Sequence, residues 1–181
     1  MKKDDITIIQ MAFVNAFLVK VKEGFVLIDT GLAMHWEKYK SQIAMHKDDS
    51  FMVEQGVFLK RKVRTLTAKI FFILRKLQRR KFTFDNFKPD IFLTDGQNLK
   101  EYGFNATIVH IPGHTKGSIG IITDDGILFA GDTFTNMRKP DISTYIENSG
   151  QLKNSIARLK KMNIKTIYPG HGKPFEMESI A

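Results

Sequence analysis

Three short turns hold the residues of this 181-residue chain whose chemistry suits a metal ion. The turns PGHTKG, AGDT and PGHG carry His114, Asp132 and His171, and each comes directly after an apolar run. A buried strand followed by a glycine-containing turn fixes a side chain and lets the backbone approach a bound group closely. Each sequence alone is also an ordinary turn sequence. Three of them at successive strand ends, with imidazole and carboxylate donors, predict a metal site.

The elements that must position these turns follow from the apolar pattern. A hairpin at 16–21 and 25–28 runs into Asp29, and a helix at 151–162 has Asn148 or Ser149 available as its cap. The remaining predicted strands are 43–45, 91–93, 106–111, 118–123, 127–130 and 165–168, and short helices are predicted at 35–42 and 48–55. The pattern therefore predicts a mixed α/β chain with polar residues at the ends of its strands.

The amino-acid composition indicates a globular protein and excludes metal sites that need cysteine. The chain is 43% hydrophobic and long enough for one globular domain, which we place at 1–181. It has no cysteine, so disulfides, Fe–S clusters and thiolate zinc sites are excluded and a metal must be held by His, Asp or Glu. Polar residues interrupt the N-terminal apolar run, and no apolar stretch is long enough for a transmembrane segment. A soluble, cytoplasmic protein is expected.

The positive charge is concentrated in one segment. The net charge is +9, and residues 57–84 contain ten Lys or Arg and no Asp or Glu. Apolar residues recur there at steps of three and four, which predicts a basic amphipathic helical insertion; they are Leu59, Val63, Leu66, Ile70, Ile73 or Leu74, and Leu77. Either this helix packs its apolar stripe on the domain, or it binds an acidic partner, nucleic acid or a membrane surface.

Four segments together resemble the metallo-β-lactamase superfamily. They are NAFLV…GFVLIDTG, PGHTKGSIGI, LFAGDTF and IYPGHGKPF, in order from Asn15 to about Phe175. The resemblance implies an αββα sandwich of two mixed sheets flanked by helices, with one or two ions of zinc, iron or manganese. By position, His114 would bind the first metal, Asp132 would be the bridging and catalytic carboxylate, and His171 would bind the second metal. Asp29 would accept hydrogen bonds from the metal loop and orient it.

The chain departs from this family in one segment. The H-x-H-x-D-H signature is absent, because IDTG continues through LAMHWEKYKSQ directly to IAMHKDDS. One strand, most of the adjoining helix and a ligand-bearing loop are therefore expected to be missing. The remnant is expected to hold one weakly bound ion, or none. His35 and His46 lie near the gap in sequence but are not expected to be ligands. His110 is expected either to be structural or to support a ligand from outside the metal shell.

Three functions remain open from the sequence. The first is a hydrolase that uses metal-activated water on a small-molecule ester, thioester, lactone or phosphoester. The second is an inactive, internally deleted homologue that keeps the motifs as inherited structure. The third is a binding protein that uses its basic helix on nucleic acid or a membrane surface. A missing strand would also leave a sheet edge exposed, through which the chain could form an oligomer.

Overall fold

The computed structural model describes residues 3–11, 14–22, 24–29, 42–56, 62–63, 66, 70, 73 and 86–180. The strands in these ranges are β1 (Ile6–Met11), β2 (Val14–Val21), β3 (Gly24–Ile28), β4 (Ala44–His46), β5 (Lys62–Val63), β6 (Ile91–Leu93), β7 (Ala106–His110), β8 (Ile119–Thr123), β9 (Ile127–Asn136), β10 (Asp141–Ile142), β11 (Tyr145–Ile146), β12 (Thr166–Gly172) and β13 (Phe175–Glu176). The α-helices are α1 (Ser50–Gln55) and α2 (Ser149–Leu159). Single 3₁₀ turns lie at Lys3–Asp5, Lys47–Asp49, Lys100–Tyr102 and Met177–Ser179.

The strands form two main sheets. One is antiparallel, with the order β1-β2-β3, and the other has the order β13-β12-β9-β8-β7 with β10 also paired to β9. In the second sheet β12 and β9 are parallel while the other pairs are antiparallel, so this sheet is mixed. Two smaller pairs, β4 with β6 and β5 with β11, complete the described strands. The predicted mixed α/β fold class is confirmed.

The core between the two main sheets is aromatic at its centre. Successive residues of a strand point to opposite faces, so Asn15, Phe17 and Val19 of β2 share one face and are all buried. The Phe17 ring centroid lies 5.3 Å from that of Phe129 and 5.6 Å from that of Tyr168. Such ring pairs contribute about 0.5–1.5 kcal/mol each beyond their burial. This core fixes β2 against β9 and β12, the two strands that carry Asp132 and His171.

A second core lies between the six-stranded sheet and α2. The helix buries Leu152, Ile156 and Leu159 at steps of four and three, in a cluster with residues of β7, β9 and β12. Its N-cap is Asn148, whose side-chain oxygen accepts hydrogen bonds from the backbone nitrogens of residues 150 and 151 at 3.0 and 3.1 Å. The predicted helix and cap are confirmed. The described layers therefore run sheet, sheet, helix.

Several predicted boundaries were wrong or cannot be compared. β1 was not predicted, because most of its residues are exposed and carry no alternating pattern. Val63, predicted within the basic helix, lies in β5, where it pairs with Tyr145. The backbone at Leu66, Ile70 and Ile73 is helical. Lys62 is the other residue of β5. The rest of 57–84, and almost all of the helix predicted at 35–42, lie outside the described residues. No described helix is long and apolar enough to cross a lipid bilayer.

A side-chain cluster at the end of β7 gives a pH-dependent contribution to stability. Asp95 accepts two hydrogen bonds from Arg158, at 2.9 and 3.0 Å, and a third from the backbone nitrogen of His110 at 2.8 Å. The Arg158 guanidinium in particular holds the pKa of Asp95 below its usual range. A carboxyl with a depressed pKa stabilises the folded state above its unfolded pKa, about 3.9, and loses that contribution as the pH falls through its folded value.

We expect Asp95→Asn to be less stable than the wild type at neutral pH by about 0.2–1 kcal/mol, since both side chains are nearly half exposed. Urea unfolding from pH 7 to about pH 3 should show this difference shrinking below about pH 4. Arg158→Met should give the same profile, and the double variant should lose little more than either alone. A difference that stays constant with pH would contradict the assignment.

Candidate metal centre

The fold brings the three predicted ligand residues together. His114 Nε2 lies 3.5 Å from Asp132 Oδ2, and His171 Nε2 lies 3.2 Å from Asp132 Oδ1. Each histidine thus approaches a different oxygen of the same carboxylate. His114 is buried, while the side chains of His171 and Asp132 are 27% and 39% exposed. The centre therefore has an interior side and a side open to solvent and to a substrate.

Two of the predicted positions lie within strands rather than in the turns after them. Asp132 is part of β9 and His171 is part of β12, and these strands are parallel neighbours. The ladder between them is irregular, with register shifts on both sides of Pro169. Gly131 has a positive φ of 49°, which glycine adopts without strain. Irregular pairing lets the strands continue while the two functional side chains face each other.

Gly170 leaves room for the Asp132 carboxylate. A Cβ at Gly170 would overlap Asp132 Oδ1 and would lie 3.1 Å from the carbonyl carbon of Gly131.

Gly170→Ala should therefore displace the carboxylate from His171 with little change in the free energy of unfolding, because a half-exposed side chain can move. Mutating residues that only hydrogen-bond to metal ligands typically weakens metal affinity about 10–100-fold, so displacing a ligand itself should weaken it at least as much. Metal titration checks this. Gly150→Ala, in the first turn of α2, is the control, and unchanged affinity in Gly170→Ala would contradict the prediction.

The imidazole of His114 is held in one tautomer by its surroundings. Its Nδ1 lies 3.3 Å from Ser143 Oγ, and that hydroxyl donates to the Tyr145 carbonyl at 3.2 Å. A hydroxyl has one proton to donate, so Ser143 accepts from Nδ1–H of the ring. In the neutral ring, Nε2 is then an acceptor that faces the Asp132 carboxylate. Two acceptors facing each other at 3.5 Å are stabilised by a cation between them.

The distances and donor types fit a metal ion. Two ligand atoms at 2.0–2.2 Å from a tetrahedral zinc ion are roughly 3.3 Å apart. Each histidine–carboxylate pair, at 3.2 and 3.5 Å, matches that value taken by itself. Among the described residues, however, these three are not a group whose ligand atoms all lie within 4.8 Å of one another, so one ion would need a shift of the side chains to reach all three. Neutral imidazole and carboxylate oxygen are ligands that zinc, iron and manganese accept. A carboxylate that meets one histidine with each oxygen also suits a bridging position.

Asp29 lies beside the centre at the end of β3. Asp29 has a positive φ of 54°. A Cβ placed on Gly131 would lie 3.5 Å from Asp29 Oδ2, so the carboxylate is close to the backbone next to Asp132. Burial among protein atoms and the negative charge of Asp132 raise the pKa of Asp29 to about 7, and His171 opposes them. Asp29 is nevertheless an exposed residue at the edge of the cavity, so solvent there reduces the effect of burial on its pKa. In the described part of the chain no hydrogen bond joins Asp29 to the turn of His114.

Two buried polar residues that sequence reasoning missed hold the histidine turns in place. Asn15 donates from Nδ2 to the carbonyls of Pro169 and Gly172, at 3.0 and 2.6 Å, on either side of His171. Asp49 accepts from the Thr115 hydroxyl at 2.5 Å and from the nitrogen of Gly117 at 2.8 Å, just after His114. Asn15 stood in the quoted NAFLV motif, but nothing in the sequence identified what either side chain would contact.

A second group of potential ligands lies away from this centre. Ligand atoms of His46, Asp48 and His110 lie within 4.8 Å of one another. The two imidazole rings are stacked, with centroids 4.1 Å apart and planes 9° apart, so their in-plane lone pairs run parallel instead of converging on one ion.

His110 and His46 instead support neighbouring backbone. His110 Nε2 lies 2.8 Å from the Lys116 carbonyl in the turn after His114, and His46 Nδ1 accepts from the nitrogen of Asp48 at 3.2 Å. These contacts are consistent with either role expected of His110, since Lys116 lies in the turn that carries His114. Burial and the neighbouring His110 lower the pKa of His46, which favours the neutral ring. His35 lies outside the described residues.

The chain belongs to the metallo-beta-lactamase superfamily, whose family profile matches residues 33–171. It is 39% identical over 82 residues to a probable metallo-hydrolase, MJ0888, of Methanocaldococcus jannaschii, a match that covers 42% of this chain and 37% of the relative. It is 32% identical over 91 residues to a hydroxyacylglutathione hydrolase of Francisella tularensis, with 48% and 35% covered. The chain thus spans little more than a third of the length of these two relatives.

Solved structures show the same fold. The metallo-beta-lactamase family protein TTHA1429 from Thermus thermophilus superimposes with a TM-score of 0.67 at 15% identity, covering 94% of this chain and 74% of the other. The BLEG-1 B3 metallo-beta-lactamase gives a TM-score of 0.66 at 16% identity, with 96% and 95% covered. TTHA1623, solved in a di-iron-bound form, gives 0.57 at 22% identity, with 96% and 95% covered. The metallo-β-lactamase-like fold expected from the motifs is confirmed.

Proposed function

We propose that this chain is a metal-dependent hydrolase in which His114, Asp132 and His171 hold one weakly bound ion of zinc, iron or manganese. Because each histidine approaches a different oxygen of Asp132, the side chains would have to shift for a single ion to reach both. The observation that carries the proposal is the approach of both histidines to separate oxygens of Asp132, at 3.5 and 3.2 Å. The family supports hydrolysis, and the related protein MJ0888 is described as a probable metallo-hydrolase. The bond cleaved would be an ester, thioester, lactone or phosphoester.

Each residue has a defined task in this proposal. A bound ion of this kind supplies Lewis acidity and makes water a nucleophile near neutral pH. Asp132, the catalytic carboxylate, orients the incoming water from the open side of the centre. Ser143 keeps the His114 tautomer that presents Nε2, and Asn15 keeps the backbone around His171 in place. Asp29, expected to orient the metal loop, lies beside Asp132 and His171 and interacts with their charges.

Metal content per chain tests the centre directly. Protein purified without chelator is compared by elemental analysis with His114→Ala, His171→Ala and the control His46→Ala, a histidine outside the centre. We expect about one ion per chain in wild type and control, and a loss in both other variants. Equal metal in His171→Ala and wild type would contradict the ligand assignment. Little metal in every protein would favour the inactive, internally deleted homologue.

Hydrolysis is tested separately on the metal-loaded protein. A panel of ester, thioester, lactone and phosphoester substrates is assayed after addition of zinc, iron or manganese, with a chelated sample beside each. Turnover that disappears on chelation and returns with metal supports the hydrolase. Metal bound at one ion per chain with no turnover on any of the four bond types would reject the activity while leaving the site in place.

A second candidate function is binding to an anionic membrane surface. Leu66, Ile70 and Ile73 are helical, fall at steps of four and three, and are 72%, 50% and 60% exposed. These three side chains are therefore available to an apolar partner. Exposed apolar side chains in a segment with ten basic and no acidic residues suit a lipid interface better than nucleic acid.

Vesicle binding distinguishes the possible partners of this segment. We expect co-sedimentation with phosphatidylserine vesicles and weaker binding to neutral ones. Replacing Leu66, Ile70 and Ile73 together by serine should reduce it, while the control Phe51→Ser, 64% exposed on α1, should not. Charge reversal at Arg75, Arg79 and Arg80 should also weaken binding. Salt-sensitive binding to an oligonucleotide that survives the triple serine change would favour nucleic acid instead.

A further inference from the structure

A large cavity adjoins the metal centre. Its volume is about 870 Å³, and its walls include His114, Asp132 and Asp29. Ligand pockets in proteins are typically about 300–1,000 Å³, so this cavity is of the size that holds an organic ligand. Because the side chains of Asp132 and His171 are partly exposed, a substrate group bound at the centre can continue into the cavity.

The walls of the cavity are mainly apolar and come from several strands. The lining also includes the carboxylates of Asp29, Asp49, Glu101 and Asp132. Strand alternation directs Ile119 and Ile121 of β8 to this side, whereas Ile122 packs with the core under α2. Val26 of β3 and Ile91 of β6 supply further wall. Apolar walls of this kind hold water poorly and gain from an apolar ligand.

The polar side chains around the turn of His114 are already engaged with one another. The hydroxyls of Thr115 and Ser118 lie 2.7 Å apart, and the Thr115 hydroxyl also donates to Asp49. Asp49 accepts from the nitrogen of Gly117 as well. A strongly polar substrate would therefore find few hydrogen-bond partners in this part of the cavity, whereas a hydrocarbon chain needs none.

We infer that the cavity receives the acyl chain of the substrate, so that the hydrolase acts on medium- to long-chain acyl esters or thioesters. This inference rests on the proposed hydrolase function. Water would add to the acyl carbonyl carbon at the centre, and the carbon–oxygen or carbon–sulfur bond would break. The departing alcohol or thiol would take up a proton, and the acyl group would leave as a carboxylic acid. The hydrocarbon part would stay in the cavity throughout.

Binding of an alkanol series tests the cavity without requiring catalysis. Butanol, hexanol, octanol and decanol have no charge, so the carboxylates of Asp29 and Asp132 do not repel them. Calorimetry or displacement of a fluorescent probe gives each dissociation constant on metal-free and metal-loaded protein. We expect affinity to rise about fourfold for each added methylene, the value expected when a CH₂ group leaves water.

Two wall variants and one control locate the binding site. Val26→Trp and Ile121→Trp come from opposite sheets and should fill part of the cavity, lowering decanol affinity at least tenfold while the thermal unfolding midpoint stays near wild type. Ile9→Trp adds the same ring on the exposed part of β1, outside the cavity, and should leave binding unchanged. If one of these two variants fails to fold, the other still tests the binding site.

The outcomes separate this inference from the proposed function. Alkanol affinity that does not change from butanol to decanol would overturn the acyl-chain site. The same increase in affinity per methylene in both wall variants as in wild type would also overturn it. A rising slope lost in the wall variants, with kcat/KM rising along an acyl ester series, supports it. The same slope without any hydrolysis would reject the hydrolase while keeping the cavity as an alkyl site. Hydrolysis of short esters whose kcat/KM does not depend on chain length would support the hydrolase and reject the acyl-chain site.

Discussion

Replacing Asp132 by alanine is expected to abolish metal binding while leaving the fold intact. Asp132 is the residue of the described centre that meets both histidines, one with each oxygen. Partners outside the ligand shell already change metal affinity by about 10–100-fold, so loss of a shared ligand should exceed that range. Its side chain is 39% exposed, and removing it takes a negative charge from the neighbourhood of Asp29. The free energy of unfolding of the metal-free protein should therefore change little.

Metal titration and urea unfolding of the same samples check both parts of this prediction. Asp141→Ala is a matched control, because Asp141 is an exposed aspartate of β10, the strand paired with β9. Asp132→Asn keeps one oxygen and should retain more affinity than alanine does. Wild-type metal content in Asp132→Ala would exclude this carboxylate as a ligand, and a large loss of stability would show that it supports the fold instead.

Asn15→Leu is expected to cost about 2–4 kcal/mol of unfolding free energy. Leucine has a similar volume but no donor, so the carbonyls of Pro169 and Gly172 would lose their hydrogen bonds in a largely buried setting. Each buried acceptor left without a partner costs about 1–3 kcal/mol. Metal affinity should fall as well, since His171 lies between these two carbonyls in β12.

Equilibrium urea unfolding measures the first effect and metal titration of folded protein measures the second. Asn154→Leu, on the exposed side of α2, controls for the change of residue type. Asn15→Ser, which is shorter, should not restore the wild-type value because its hydroxyl reaches less far. A stability loss below about 0.5 kcal/mol, the usual range for surface substitutions, would show that neither bond matters.

The histidine and aspartate turns were identifiable without a structure because their evidence is local. PGHTKG, AGDT and PGHG each combine an apolar run, glycine and a metal-binding side chain within a few residues. The hairpin, the helix at α2 and its Asn148 cap were predicted for the same reason, since periodicity and capping depend on neighbours in the chain. The absence of an H-x-H-x-D-H signature was also visible in the sequence.

Contacts between distant parts of the chain decided the rest. Asn15 reaches carbonyls 154 and 157 residues away, and Asp49 bonds to groups 66 and 68 residues away. No local pattern encodes such pairings, because they form only when strands from separate segments become neighbours. The placement of Asp132 within β9 depends likewise on the irregular parallel ladder with β12. Local motifs therefore sufficed to predict which side chains could bind a metal, whereas the backbone that holds them and the position of the apolar cavity depend on contacts between distant segments.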